Sequence, residues 1–326
     1  MVCQAIEKYS FSPERRAVPT SSDRMLQKSL STNTDVIIYD LEDSVPPSDK
    51  GSARERLRTF LHSKNPAELP RPERTAVRLN SIHTPFFEDD ITQALRIPSL
   101  RTLVLPKVNS ALDLHHVTRQ IYTHYKLTFS AQPAEQPLQL VASIESARSL
   151  LNLREIAAWQ SEYGAQLGGK LVALLFAAED YCADTSIIRT KSRQELLYTR
   201  SKIAITAKAY GLNAIDMVCV NYKDLEYLKE ECEDGRRLGF NGKQAIHPTQ
   251  VDVIQSTFVP TDKAEILRAA RILHRMERAH SSQRGAIGLE LEDGGKEMID
   301  APMIKQAENI VRTAMSAGLK IPEISH

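Results

Sequence analysis

Eight short apolar runs, each followed by a stretch of helical periodicity, recur along the chain between Arg16 and Ile246. They lie at Arg16–Val18, Asp35–Tyr39, Thr75–Leu79, Thr102–Leu105, Leu138–Ile144, Leu171–Phe176, Ala214–Val218 and Lys243–Ile246. Helical segments such as Ser52–Leu61, Ala147–Trp159, Ser192–Tyr210 and Thr249–Ser256 are interleaved with them. Such alternation predicts an α/β protein with a parallel sheet, either closed or open. The strand ends favour closure. Asp40, Glu42 and Asp43 follow the second run, Arg78 and Asn80 the third, and Lys107 the fourth. Glu145 follows the fifth, Glu179 and Asp180 the sixth, and His247 the eighth. Charged residues begin many loops, which accounts for any one of these. In a (β/α)8 TIM barrel all such ends meet on one face, where the βα loops build the active site.

After Ile254 the pattern changes. Asp262–Arg278 reads as an amphipathic helix, Ser281–Glu297 as a Gly-rich acidic loop, and Ala301–Ala317 as a second helix. The expected organisation is a barrel over residues 1–258 and a C-terminal helical extension with a lid loop over 259–326. The chain has 326 residues, enough for both.

Lys and Arg number 42 against 41 Asp and Glu, so no basic footprint for nucleic acid or a polybasic membrane surface is present. The longest apolar run, Leu171 to Ala178, is too short to cross a bilayer. Cys3, Cys182, Cys219 and Cys232 form no CxxC pair, which favours a reducing compartment over a disulfide framework. No secretory signal is visible, and Glu7 and Glu14 argue against a transit peptide.

The sharpest chemical pair is Glu145 with Asp180, each following an apolar strand (LVASIE and LVALLFAAED). Two carboxylates completed by water and substrate oxygens suit Mg²⁺. A plain alternative makes Glu145 a first-turn acid of the next helix. The segment DLEDSVPPSDKGSAR packs three acids ahead of Lys50 and Arg54, able to position basic groups or a metal-bound water, or simply to form a solvated loop. Arg78, in TAVRLN, suits capture of a carboxylate or a developing enolate oxygen, against a salt bridge to Asp40 or Glu42. In FNGKQAIHP, His247 reads as a loop-ordering residue rather than a base or metal ligand. Asp300, before Ala301–Pro302, is a natural helix N-cap, and spacing does not separate that from an acid/base on a lid. His115, His116, the His274–His280 helix, Tyr222 and Tyr227 read as surface or packing residues.

Taken together, DVIIYDLEDSV, VRLN, LPKV, IESARSLLNLREIA, FAAEDYCADTSIIRT, GLNAIDMV, GRRLGFNGKQAIHPTQV and KEMIDAPMIKQAENIV resemble, in this order, the citrate lyase β-subunit-like family. That family lies in the malyl-CoA and citramalyl-CoA lyase group of the HpcH/HpaI aldolase superfamily. The resemblance implies a barrel with a C-terminal extension, assembled as a homotrimer and often mitochondrial, with a cytoplasmic location as the alternative. It implies Mg²⁺ held by Glu145 and Asp180 and a substrate-binding Arg78. CoA would contact Arg24, Lys28 and the backbone of Ile246, His247 and Pro248. Asp300 would be the acid/base, delivered by a neighbouring subunit. The implied reaction is retro-Claisen cleavage of a small hydroxy-dicarboxylic acyl-CoA, with malyl-CoA thioesterase or malate synthase activity, or a non-catalytic CoA-binding subunit, as alternatives. Three departures from the family pattern stand out. RRAVPTSSDRM makes the first strand about three residues short, with Thr20 in place of Gly; Ala177–Ala178 replaces Gly-Gly; and Ser186 replaces Gly. The first is the expected threat to barrel closure and to a CoA contact.

Overall fold

The computed structural model describes residues 14–62, 64–128, 136–260, 263–281, 287–290, 296–322 and 324. Strand β1 (Glu14–Pro19) is followed by α1 (Asp23–Ser29), β2 (Val36–Asp40), α2 (Lys50–His62), β3 (Thr75–Arg78) and α3 (Phe87–Ala94). Next come β4 (Thr102–Leu105), α4 (Ala111–Thr128), β5 (Gln139–Ile144), α5 (Ala147–Leu151), α6 (Leu153–Ala158) and α7 (Gly164–Gly168). The series ends with β6 (Lys170–Phe176), α8 (Ala178–Thr185), α9 (Leu197–Ala209), β7 (Asn213–Asp216), α10 (Leu225–Leu238), β8 (Gly242–Ala245) and α11 (Val251–Phe258). Each strand pairs in parallel with the next, and β8 returns to β1, so the sheet is a closed barrel.

Closure corrects the expectation drawn from the first strand. β1 runs for six residues rather than three, pairing Arg15–Pro19 with Val36–Asp40 and Glu14–Arg16 with Lys243–Ala245. Charged residues hide this strand from a hydropathy reading, because ladder bonds need only backbone groups. Thr20 fits where the family has Gly: it is buried, and its hydroxyl donates to the Asp40 carbonyl at 2.7 Å. The central strands follow from composition. β2 (VIIYD) is buried at every position, as expected for a parallel strand covered on both faces.

Two helical expectations change. The predicted helix Ala147–Trp159 is broken at Asn152, which leaves helical geometry (ψ 9°) and whose Nδ2 donates to the Asn109 carbonyl at 2.9 Å. The predicted helix Ser192–Tyr210 begins as a 3₁₀ turn, Gln194–Leu196, and becomes α-helical from Leu197.

The chain divides into two compact units, and residues 13–254 form the barrel unit. The second unit contains residues 255–326 and holds α12 (Lys263–Ser281), β9 (Ile287–Glu290), β10 (Lys296–Ile299) and α13 (Ala301–Ser316). Its core is Ala269, Ile272, Ile299 and Ala307, packed by Leu273, Met303, Ile304, Ile310 and Val311. The segment expected to be a Gly-rich loop carries an antiparallel pair, Ile287–Glu290 against Lys296–Ile299. The alternation of Ile287 and Leu289, followed by Asp293–Gly295, is a hairpin signal that the acidic composition obscured.

Among the described residues, no helix is long and apolar enough to cross a membrane. Cys182, Cys219 and Cys232 are free, buried thiols; Cys3 lies outside the described residues.

Candidate active site

Loops after five successive strands, β2 to β6, surround a cavity of about 610 Å³ at the C-terminal mouth of the barrel. Glu42 and Asp43 enter it from β2, Asn80 and Ser81 from β3, Lys107 and Asn109 from β4, Glu145 and Ser146 from β5, and Asp180 and Asp184 from α8. Val45, Pro47 and Phe86 add an apolar wall.

Glu145 does not sit in the first turn of a helix. Ser146 is the N-cap of α5, accepting from Ser149 N, so Glu145 precedes the cap and faces the cavity. It is 5% exposed. Burial pushes its carboxyl up to about 7, and Glu42 and Asp180 add to that rise while a hydrogen bond from Ser143 and the charge of Lys107 oppose it. Asp180 lies in the first turn of α8, where the helix dipole favours negative charge. Ala177, which stands at one of the two Gly positions, adopts φ −100°, so that replacement requires no left-handed backbone.

Arg78 makes the salt bridges to Asp40 and Glu42 that the sequence offered as its alternative role. Its Nε and Nη2 donate to Asp40 at 2.7 and 2.8 Å, and its Nη1 lies 3.0 Å from Glu42 and 3.4 Å from Asp43. Arg78 therefore stands behind the acidic loop, outside the residues that line the cavity. Burial opposes the charge of Asp40, but Arg78, Ser44 and the Glu42 N–H hold its carboxyl below the ordinary range. Lys50 ties the same loop down through the carbonyls of Leu41 and Glu42, both at 2.8 Å. Lys107 Nζ donates to Glu42 at 3.0 Å and lies 3.9 Å from Asp180. An alternating chain of charges, Arg78–Glu42–Lys107–Asp180, thus crosses the mouth. Glu179 turns elsewhere and pairs with Arg189.

Of the other sequence candidates in the barrel unit, Arg24, Lys28, Ile246, His247 and Pro248 are not among the residues that line this cavity. Arg24 and Lys28 are exposed on α1, one helical turn apart. After β8, the N–H groups of Ile246 and His247 donate to Gln250 Oε1 at 2.8 and 3.2 Å. The His247 ring stacks on Tyr222, and its Nδ1 accepts from Thr249 N, as a loop-ordering residue would. Pro248 opens the following 3₁₀ turn. Asp300 belongs to the other unit, where it caps α13 by accepting from Met303 N at 2.9 Å. Asp184 and Asn109 were not anticipated. Asp184 accepts from Ala147 N, and its spacing from Asp180, i to i+4 on one helix, was the available signal. Asn109 accepts from Ser146 Oγ at 2.5 Å, a tie between loops that leaves no mark in the sequence.

Among the described residues, no group of three or more His, Cys, Asp or Glu side chains is placed so as to hold a metal ion by itself. The cavity instead gathers four carboxylates, Glu42, Asp43, Glu145 and Asp180, with Glu145 reluctant to ionise. A hard divalent cation that keeps much of its water fits such a donor set.

The family model for HpcH/HpaI aldolase/citrate lyase matches residues 18–248. The mitochondrial citramalyl-CoA lyase of Rattus norvegicus is 32% identical over 317 residues, covering 96% of this chain and 89% of that protein. The (3S)-malyl-CoA thioesterase of Cereibacter sphaeroides is 31% identical, over 85% of this chain and 86% of its own length. The crystal structure of CitE from Mycobacterium tuberculosis in complex with magnesium, acetoacetate and coenzyme A superposes with a TM-score of 0.69 at 28% identity. It covers 93% of this chain and 98% of that one. With a barrel whose mouth carries the acids the sequence marked, the chain belongs to the HpcH/HpaI aldolase/citrate lyase family and is an enzyme of the lyase class.

Proposed function

We propose that this chain is a Mg²⁺-dependent carbon–carbon lyase that cleaves a citramalyl-CoA or malyl-CoA type thioester to a keto acid and acetyl-CoA. The observation that carries the reading is the convergence of Glu145 and Asp180 in a cavity with surplus carboxylate. Glu145 and Asp180 would hold the ion, which supplies Lewis-acid polarisation of the substrate's hydroxyl and carboxylate oxygens when bound. Magnesium, acetoacetate and coenzyme A together in the CitE complex support the same pairing of metal and thioester chemistry.

Arg78, clamped by Asp40, lends a fixed positive charge to the side of the site where enolate charge develops as the C–C bond breaks. Asp300 moves the proton at the enolate carbon, and in the reverse direction removes it. Arg24 and Lys28 attract the CoA phosphates, and the Ile246–Pro248 backbone borders the rest of the cofactor. In this reading the barrel carries the cleavage chemistry, and the C-terminal extension supplies Asp300 to a neighbour in a homotrimer. A mitochondrial location rests on the name of the rat relative.

The second reading is thioester hydrolysis, favoured by the Cereibacter sphaeroides relative. Incubation with Mg²⁺ and citramalyl-CoA or malyl-CoA separates the two, with pyruvate, glyoxylate and free CoA followed together. Keto acid without free CoA is expected. Free CoA without keto acid would establish hydrolysis instead, and a folded protein that turns over neither thioester would overturn both.

A further inference from the structure

Lys107 has a backbone conformation that a lysine seldom adopts. Its φ is +54°, one of three positive values among the described non-glycine residues. The other two have ordinary explanations: Ser186 is the C-cap of α8, and Arg193 precedes a 3₁₀ turn. Lys107 caps no helix. It is the second residue of a Pro106–Lys107 turn leaving β4, a position that favours Gly or Asn. Strain of this kind concentrates at functional sites, where the surrounding structure holds it in place.

That backbone carries an ammonium into the middle of the acids. Nζ donates to Glu42 Oε1 at 3.0 Å and stands 3.9 Å from Asp180 Oδ1. The other cations near the mouth stay on the β2 side: Arg78 is clamped by Asp40 and also meets Glu42 and Asp43, and Lys50 is tied to the carbonyls of Leu41 and Glu42. Lys107 is therefore the cation that meets carboxylates of β2 and α8 at once.

We propose that Lys107 is the resident counter-ion of the carboxylate cluster, holding the place of the divalent cation at Asp180 and giving it up when the metal loads. This rests on the assignment of Glu145 and Asp180 as the metal-holding pair. On loading, Lys107 keeps Glu42 and leaves Asp180. The positive charge at the mouth is then shared between metal and ammonium, and metal affinity is set below what the carboxylates alone would give. Two cations competing for one carboxylate repel each other strongly at this range in a partly buried site.

The test is calorimetric titration of metal-free protein with Mg²⁺, in the absence of substrate. Lys107→Met removes the charge, Lys107→Gly removes both the charge and the backbone strain, and Lys107→Arg keeps the charge. Both neutral variants are expected to bind Mg²⁺ about tenfold more tightly or better, with Lys107→Arg close to wild type. A residue that merely props the carboxylates in place would give the opposite sign. Unchanged or weaker binding by folded Lys107→Met and Lys107→Gly, with wild type binding normally, overturns the counter-ion role alone. Absence of Mg²⁺ binding by wild type overturns the metal assignment and this inference with it.

Discussion

Burial in an acidic cavity leaves Glu145 with a carboxyl that takes up its proton near neutrality, at about 7 against an ordinary 4.5. Below the unfolded value the group is protonated in both states and favours neither. As pH rises towards 7 the unfolded chain ionises first, so the folded state loses relative stability, by roughly 3 kcal/mol once both are ionised. Metal-free wild type is therefore expected to melt progressively lower between pH 5 and pH 7.5, while Glu145→Gln shows a much flatter profile. Thermal unfolding of both proteins across that range checks it, and parallel profiles would contradict the assignment. Asp180 and Glu145 were legible in the sequence because each follows an apolar strand, and a barrel gathers the segments that follow its strands. The protein partner of Arg78 was not: a strand-end arginine suits a substrate carboxylate or a protein one equally, and it is the register of β2 against β3 that sets Asp40 beside Arg78. Ser186 shows the same limit. It occupies a left-handed position, φ 59°, where the family's Gly carries no steric cost.

At the scale of elements, local pattern was a good guide where burial is uniform and a poor one where a tertiary bond intervenes. β2 and β6 were plain as apolar runs. The break at Asn152 depends on the Asn109 carbonyl, 43 residues away in the chain, and no helical periodicity records it. β1 was underestimated because its ladder partners on both sides, rather than its own side chains, make it a strand. The packing of α10 on β7 is equally hidden. Gly235, inside the helix, faces the buried pair of Asp216 with Arg200, and a Cβ there would meet Asp216 Oδ2 at 2.6 Å. Alanine ordinarily favours a helix over glycine. Here Gly235→Ala is expected to destabilise by about 1–3 kcal/mol, because it must push a buried ion pair apart. Urea unfolding measures this, and a stabilised variant would show that α10 has room to move outward.

For the whole molecule, alternation of strands and helices named the class, and the polar strand ends named the closed form. Closure makes function possible here: residues from Glu42 to Asp184, far apart in the chain, come to one cavity because consecutive strands present their C-terminal ends side by side. The account stands or falls on whether this cavity is the Mg²⁺ and cleavage site. Mg²⁺-dependent release of keto acid from citramalyl-CoA or malyl-CoA, compared between wild type and Asp180→Ala, tests that most directly. The account predicts a loss of about 100-fold or more in the variant with an unchanged melting temperature; Mg²⁺-dependent release at the wild-type rate would contradict it.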